Sequence, residues 1–259
     1  MDLGIEGRTA LVMASSSGLG LACAKALAAE GVNVWLLARN QERLDAAAEE
    51  VRRVSRRRVD AISADLTQEE DRARVFATVK DVDILVTNNE GPAPGSLDNW
   101  DHDAWIGAFE KNMIPHALFI RNYVGGMRAR KFGRIVNITS AMVKTPRTHQ
   151  SLSSAARTAL TAFSKALSFE VAVDNVTLNN LLPERIDSPR QAQLAQRLAQ
   201  QKGISYEEAR QQFANSIAAR RMGTPEEFAA ACAFLCSAQA GFISGQNLQL
   251  DGGSYPGIV

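Results

Sequence analysis

The strongest constraint in this chain is a rhythm. Short runs that are apolar on both faces alternate with longer helical stretches over most of the length. Thr9-Ala10-Leu11-Val12-Met13 is the first run; Val32 to Ala38, Val59 to Ala64, Val82 to Thr87 and Arg134 to Thr139 follow. Val176 to Leu182 and Asn247 to Leu250 bring the total to seven. A strand wetted on one face alternates apolar and polar residues. Most of these runs do not, and burial on both faces belongs to a parallel sheet covered by helices. The Ala-rich segment Leu21 to Glu30 stops at Gly31, a helix-terminating glycine, and Gln41 to about Arg53 is a charged helix. Such βα units predict one doubly wound α/β domain over residues 1–259, built on a seven-stranded parallel sheet. Ser188 to about Met222 departs from the rhythm. It is polar, Gln-rich and helix-prone, and reads either as a helical flap over a site or as a surface insertion without a role.

Composition excludes several classes. With 46% hydrophobic residues the chain is too apolar for disorder. Lys and Arg number 29 against 28 Asp and Glu, so nothing points to nucleic acid or a membrane as partner. No apolar stretch reaches the ~20 residues needed to span a bilayer. The opening Met1-Asp2-Leu3-Gly4-Ile5-Glu6 lacks the basic-then-apolar layout of a signal peptide, so the expectation is a cytoplasmic protein. Cys232 and Cys236 lie one helical turn apart without a nearby His, which reads as core packing, and no metal is expected.

Chemistry enters at Met13-Ala14-Ser15-Ser16-Ser17-Gly18-Leu19-Gly20, the first strand-to-helix turn. Backbone N–H groups at a helix start carry partial positive charge, and glycines let phosphates approach the main chain. A dinucleotide pyrophosphate would rest there.

At this loop the sequence resembles the classical short-chain dehydrogenase/reductase family, whose turn reads T-G-x-x-x-G-x-G. Gly18 and Gly20 match its later glycines; Met13 and Ala14 replace the Thr and first Gly. Asp65-Leu66 resembles the pair that contacts adenine, and Asn88-Asn89-Glu90-Gly91 resembles N-N-A-G. Asn112 falls at the helix asparagine, and Gly133 to Ser140 resembles the strand ending in the catalytic serine. Gly223-Thr224-Pro225-Glu226-Glu227, Ile243 to Gln246 and Asp251-Gly252-Gly253 fit the C-terminal third. The resemblance implies a Rossmann-like fold and a nicotinamide cofactor touched by Ser16, Ser17, Gly18, Leu19, Gly20, Asp65, Leu66, Asn88, Pro183 and Ile186. It also implies assembly as a homodimer or homotetramer, through two long helices around 103–130 and 151–172 and the C-terminal strand.

Charge bears on which cofactor. An acidic residue ending the second strand would bind the 2′-OH of NAD and repel a 2′-phosphate. Arg39 stands there and offers a guanidinium fork to NADP; read as a solvated surface charge, it leaves NAD open.

The family's chemistry needs a Tyr four residues before a Lys on one helix face. The phenol exchanges a proton with the substrate oxygen while hydride moves to or from the cofactor. Counting thirteen residues past Ser140 reaches Ser153, and four more reach Arg157. An aliphatic hydroxyl is a far weaker acid than a phenol, and Arg stays protonated. Ordinary Tyr/Lys catalysis is therefore excluded, and Ser140, Asn112, Ser153 and Arg157 are the candidate catalytic set. Substitute proton donors are His149, Lys144 and Glu184. Glu90 replaces a small residue beside the cofactor, and Glu184 replaces a glycine near the nicotinamide; an outward Glu184 would pair with Arg185 or Arg190. Pro115 cannot donate to the Lys111 carbonyl and reads as a helix kink. The leading expectation is a divergent NADP(H)-linked oxidoreductase acting on a small carbonyl or alcohol. A binding or scaffold protein that has lost the reaction is the alternative, followed by a lyase or isomerase using Glu184 as base.

Overall fold

The computed structural model describes residues 2–258. Its strands are β1 (Thr9–Met13), β2 (Asn33–Ala38), β3 (Val59–Ser63), β4 (Ile84–Thr87), β5 (Gly133–Ile138), β6 (Val176–Pro183) and β7 (Asn247–Leu250). They form one sheet in the order β3-β2-β1-β4-β5-β6-β7, and every neighbouring pair is parallel. The strand order reverses between β1 and β4, which opens a crevice at the carboxyl ends of the strands. The expected fold class is the observed one.

The helices are α1 (Gly18–Ala29), α2 (Gln41–Arg52), α3 (Glu69–Thr78), α4 (His102–Asn112), α5 (Ile114–Ala129) and α6 (Ser151–Val171). Then come α7 (Pro189–Lys202), α8 (Tyr206–Asn215) and α9 (Pro225–Leu235). Their starts follow local chemistry. Asn40 caps α2 by accepting from Arg43 N at 2.8 Å, and Asp101 caps α4 by accepting from Ala104 N at 2.9 Å. Thr224 and Glu227 make a reciprocal capping box behind Pro225. Gly31, at φ +77, ends α1 as its sequence position implies.

One expected helix is two. The stretch around 103–130 breaks at Met113, whose φ of −134° and ψ of −60° leave the helical region. Pro115 then sits in the first turn of α5, where its missing N–H leaves no gap. The break turns Asn112 and His116 into the core rather than along a straight helix face, and both are fully buried.

Two apolar layers cover the sheet, and alternate residues of one strand feed each. Ala10 and Val12 of β1 pack in the layer of α1, α2 and α9, with Leu27, Leu44 and Phe228. Leu11 and Met13 pack in the layer of α3, α5 and α6, with Val75, Phe119 and Leu178. Cys23, Cys232 and Cys236 are buried in the first layer, where α1 meets α9.

A polar row crosses this apolar sheet. Thr87, Asn137, Asn180 and Asn247 stand opposite one another on β4 to β7. Thr87 Oγ1 donates to Asn137 Oδ1 at 2.6 Å, and Asn137 Nδ2 donates to Asn180 Oδ1 at 2.9 Å and to Ser164 Oγ at 2.8 Å. Asn180 Nδ2 then donates to Asn247 Oδ1 at 2.8 Å. The Thr87 proton is spent on Asn137, so His116 Nδ1, 2.9 Å from Thr87 Oγ1, carries a proton and donates it. The bonds that link the row from strand to strand all run toward β7, and such aligned bonds polarise one another.

Asn137→Leu should therefore destabilise well beyond its size, because it strips Thr87, Ser164 and Asn180 of buried partners. The expected loss is about 3 kcal/mol, read as a fall of roughly 6–12 °C in melting temperature. An unchanged melting temperature would show that the row carries no stability.

Candidate active site

The carboxyl ends of the strands open into a cleft of about 690 Å³. That volume lies within the ~300–1,000 Å³ of small-molecule and cofactor sites. At one end lies the β1–α1 turn. Ala14 holds φ +48, the left-handed region that glycine enters freely and alanine enters with strain. Gly20 packs directly on this turn: a Cβ there would lie 2.4 Å from the Ala14 carbonyl oxygen, so the helix seats on the loop only without a side chain. Ser15, which the sequence reading passed over, bolts the turn to β2. Its Oγ donates to Val12 O at 2.8 Å and accepts from Leu37 N at 3.0 Å.

The α1 start is built to receive an anion. Ser17 occupies the cap position without making a side-chain cap, and the first turn holds no acidic residue. Ser16, Ser17, Gly18 and Leu19 all line the cleft; Gly20 lies behind it. Across the gap stands the start of α7, with Pro189 Cδ 3.7 Å from where a Gly18 Cβ would be. Ser188 caps that helix by accepting from Gln191 N at 3.4 Å. Arg190, Gln193, Leu194 and Arg197 of α7 face the cleft at helical spacing.

The ends of β2 and β3 form the next wall. Arg39 lines it with its guanidinium 3.4 Å from the Glu90 carboxylate. Asp65 and Leu66 follow β3, and Asp65 Oδ1 accepts from Thr67 N at 2.9 Å and Thr67 Oγ1 at 2.8 Å. Asn88 lines the cleft after β4. Its neighbour Asn89 ties the loop to α4 by donating from Nδ2 to Lys111 O at 2.8 Å.

Ser140, Ser153 and Arg157 meet at the far end of the same cleft. Ser140 Oγ accepts from Met142 N at 3.2 Å, capping the turn after β5. Ser153 Oγ accepts from Arg157 Nε at 3.3 Å. Both hydroxyls thus act as acceptors toward the protein and keep their hydrogens free to donate.

Arg157 is more deeply committed than its sequence position suggests. It is 7% exposed, and Nη1 donates to Ile138 O at 2.9 Å and Thr139 O at 3.0 Å. Nη2 donates to Asn89 O at 3.3 Å. With Nε on Ser153, four of its five N–H donors are spent on the protein, leaving one on Nη2. Arg157 thus staples the end of β5 to the loop after β4. Burial, with Arg190 adding repulsion, lowers Arg157 to about 10, so it remains a cation at neutral pH.

Other expected residues fall into place unevenly. Asn112 does not line the cleft. It is buried behind the β4–α4 loop, with Nδ2 donating to Glu90 O at 3.3 Å and Oδ1 unpartnered. Below it His116 Nε2 is also unpartnered, and burial drives that imidazole down to about 3, so it is neutral at physiological pH. Pro183, the last residue of β6, and Ile186 beyond it line the wall, and Ile186 bridges Gly223 in parallel. Glu184 does not turn outward. Its side chain is 10% exposed and accepts from Arg147 Nη2 at 2.5 Å, with Arg185 at 3.8 Å. Of the three substitute proton donors, only Glu184 lines the cleft; His149 is exposed and Lys144 lies 5.1 Å over the Tyr255 ring. Arg147 escaped the sequence reading. Its only signal was an arginine in the loop after Ser140, with an acid at an unusual place 37 residues later.

Comparison with known proteins agrees with this geometry. The family described as enoyl-(acyl carrier protein) reductase matches residues 13–255. The chain is 31% identical to the NADPH-dependent reductase BacG of Bacillus subtilis over 256 residues, covering 97% of this chain and 99% of that protein. It is 30% identical to the 3-oxoacyl-[acyl-carrier-protein] reductase FabG of Aquifex aeolicus, covering 98% and 100%. Among solved structures, L-sorbose reductase from Gluconobacter frateurii, complexed with NADPH and L-sorbose, superposes with a TM-score of 0.94. That pair is 30% identical and is covered 100% on both sides. A seven-stranded parallel sheet, a glycine turn at its switch point and relatives matched along their full length converge on one assignment: the chain belongs to the short-chain dehydrogenase/reductase family.

Proposed function

We propose that this protein is an NADP(H)-dependent oxidoreductase for a small carbonyl or alcohol, working without a Tyr/Lys pair. The observation that carries the reading is that the open α1 start and the Ser140–Ser153–Arg157 cluster are walls of one cleft. The names of its relatives support the same cofactor, since BacG is an NADPH-dependent reductase and the sorbose reductase is complexed with NADPH.

The residues present fit a dinucleotide. Free N–H groups without an acidic neighbour at α1 suit a pyrophosphate, and Arg39 suits a 2′-phosphate. Asp65 and Leu66 would flank the adenine, Asn88 the ribose, and Pro183 and Ile186 the nicotinamide. When bound, the cofactor supplies or accepts a hydride. Ser140 and Ser153 hold the substrate oxygen by donating their free hydrogens. As negative charge grows on that oxygen, the buried Arg157 charge behind Ser153 and its spare N–H stabilise it, an effect worth about 10²–10³-fold per donor in acyl-transfer sites. Arg157 does not release a proton at neutral pH, so the product oxygen takes its proton from water entering the cleft. Asn112 holds the Glu90 backbone and acts by positioning. The segment 188–222 contributes α7 as one wall, which fits a flap role within a single domain.

The residue composition of the catalytic end makes a rate prediction. Ser153→Tyr with Arg157→Lys restores a phenol at i and an ammonium at i+4, and turnover of a carbonyl panel should rise by about 10² or more. The same double variant should melt lower than wild type, because lysine cannot replace the guanidinium fork on three carbonyls. No gain in turnover would show that the pocket is not otherwise competent.

The reading itself is tested by titrating NADPH, NADP⁺, NADH and NAD⁺ into the protein by calorimetry, then assaying NADPH oxidation with carbonyl compounds. Saturable NADPH binding with measurable turnover is expected. No binding of any of the four refutes the reading, and tight binding without turnover of any substrate removes the enzyme half of it.

Assembly into a homodimer or homotetramer is part of the proposal. Phe169 and Val173 near the end of α6 are 74% and 80% exposed, and Phe242 and Leu248 beside the β7 edge are 104% and 41% exposed. Lys165 Nζ, donating to Gly245 O at 3.3 Å, joins the two segments into one face. Light scattering should give two or four times the chain mass, and Phe169→Glu with Phe242→Glu should give the monomer. A strictly monomeric wild type would contradict it.

A further inference from the structure

Glu90 is unusual in both its neighbours and its place. It stands in the loop after β4, inside the cleft wall. Its backbone is pinned on both sides: Glu90 N donates to Asn89 Oδ1 at 2.9 Å, and Glu90 O accepts from Asn112 Nδ2 at 3.3 Å. The carboxylate lies between two guanidiniums from different elements. Arg39, after β2, is 3.4 Å from Oε2; Arg190, on α7, is 3.8 Å from Oε1. Arg190 also donates from Nη2 to Pro92 O at 3.3 Å. The result is an Arg39–Glu90–Arg190 bridge from the β2 end to α7.

The bridge is exposed: Arg39, Glu90 and Arg190 side chains are 61%, 60% and 35% accessible. Ion pairs of this kind contribute little to stability and exchange readily. Their effect is on whatever else needs the same guanidiniums. Two cations already neutralised by a tethered carboxylate are poorer receptors for a phosphate. A dianion arriving at Arg39 must also displace Glu90 or sit within a few ångströms of it.

We propose that Glu90 is an internal competitor for the cofactor's 2′-phosphate, holding Arg39 in its absence and setting how strongly the cleft prefers NADPH to NADH. The proposal rests on the dinucleotide reading above. It assigns Glu90 a role in cofactor selection that acts through Arg39. A ribose 2′-hydroxyl carries no charge and does not contend with a carboxylate, so NADH is largely indifferent to Glu90. The phosphate is not.

The test is direct binding by calorimetry of wild type, Glu90→Gln, Arg39→Gln and the double variant, with NADPH and NADH as probes at low and at moderate salt. Glu90→Gln should tighten NADPH about tenfold at low salt and NADH by less than about threefold, with the gap closing as salt is raised. In the Arg39→Gln background the same substitution should lose most of its effect on NADPH, because the contested guanidinium is gone. Melting temperatures confirm that each variant is folded. NADPH affinity unchanged or weakened by Glu90→Gln overturns the proposal, as does equal tightening of both dinucleotides or an effect that persists without Arg39. Failure of wild type to bind either dinucleotide overturns the cofactor reading beneath it, a result distinct from binding that ignores Glu90.

Discussion

One buried guanidinium determines how the reactive end of this cleft is built. Arg157 reaches from α6 to the last carbonyls of β5 and to the loop after β4, with no carboxylate among its hydrogen-bond partners. Burying a cation without a counter-ion is expensive, and here the cost is offset by dipoles: three carbonyl oxygens and the Ser153 hydroxyl. Carbonyls satisfy hydrogen-bonding capacity but leave the net charge in place. The cleft therefore keeps a fixed positive centre beside two hydroxyls whose hydrogens are free. That suits stabilising an oxygen that becomes negative and is unsuited to giving it a proton.

On the proposed reading, a serine and an arginine in the place of a Tyr/Lys pair still leave a usable site. A phenol and an ammonium divide proton donation and charge between them. A serine and an arginine keep the charge and the hydrogen-bond donor but give up the proton. Each hydroxyl hydrogen still has a direction, because the protein uses Ser140 and Ser153 as acceptors. Around this end Glu184 is neutralised by Arg147, and Glu90 is shared between Arg39 and Arg190. The acids that break the family pattern are thus both held by arginines of the cleft wall.

Much of the fold was legible because its cause is local. Short both-face apolar runs such as Leu11-Val12-Met13, bounded by turn residues, read as strands buried between two layers, and the structure sends Val12 to one layer and Leu11 to the other. Gly18 was legible from its place between the first strand and an Ala-rich helix, whereas Asp65 and Ser140 rested on the family resemblance. What stayed hidden depends on distance in sequence. Glu184 read as outward because its partner Arg147 lies 37 residues away in a loop with no periodicity. The structural role of Arg157 was hidden because no sequence pattern reveals which carbonyls a side chain will find. The break at Met113 was hidden for another reason: Pro115 is compatible with a kink or with a new helix start, and tertiary packing of Asn112 and His116 decides between them.

The most direct measurement is a crystal structure of the protein soaked with NADPH. The account predicts the pyrophosphate on the Gly18–Leu19 N–H groups, the 2′-phosphate on Arg39 with the Glu90 carboxylate moved off it, and the nicotinamide facing Ser140 and Ser153. A cleft that excludes the dinucleotide, or one that holds it with the nicotinamide far from both serines, would contradict it.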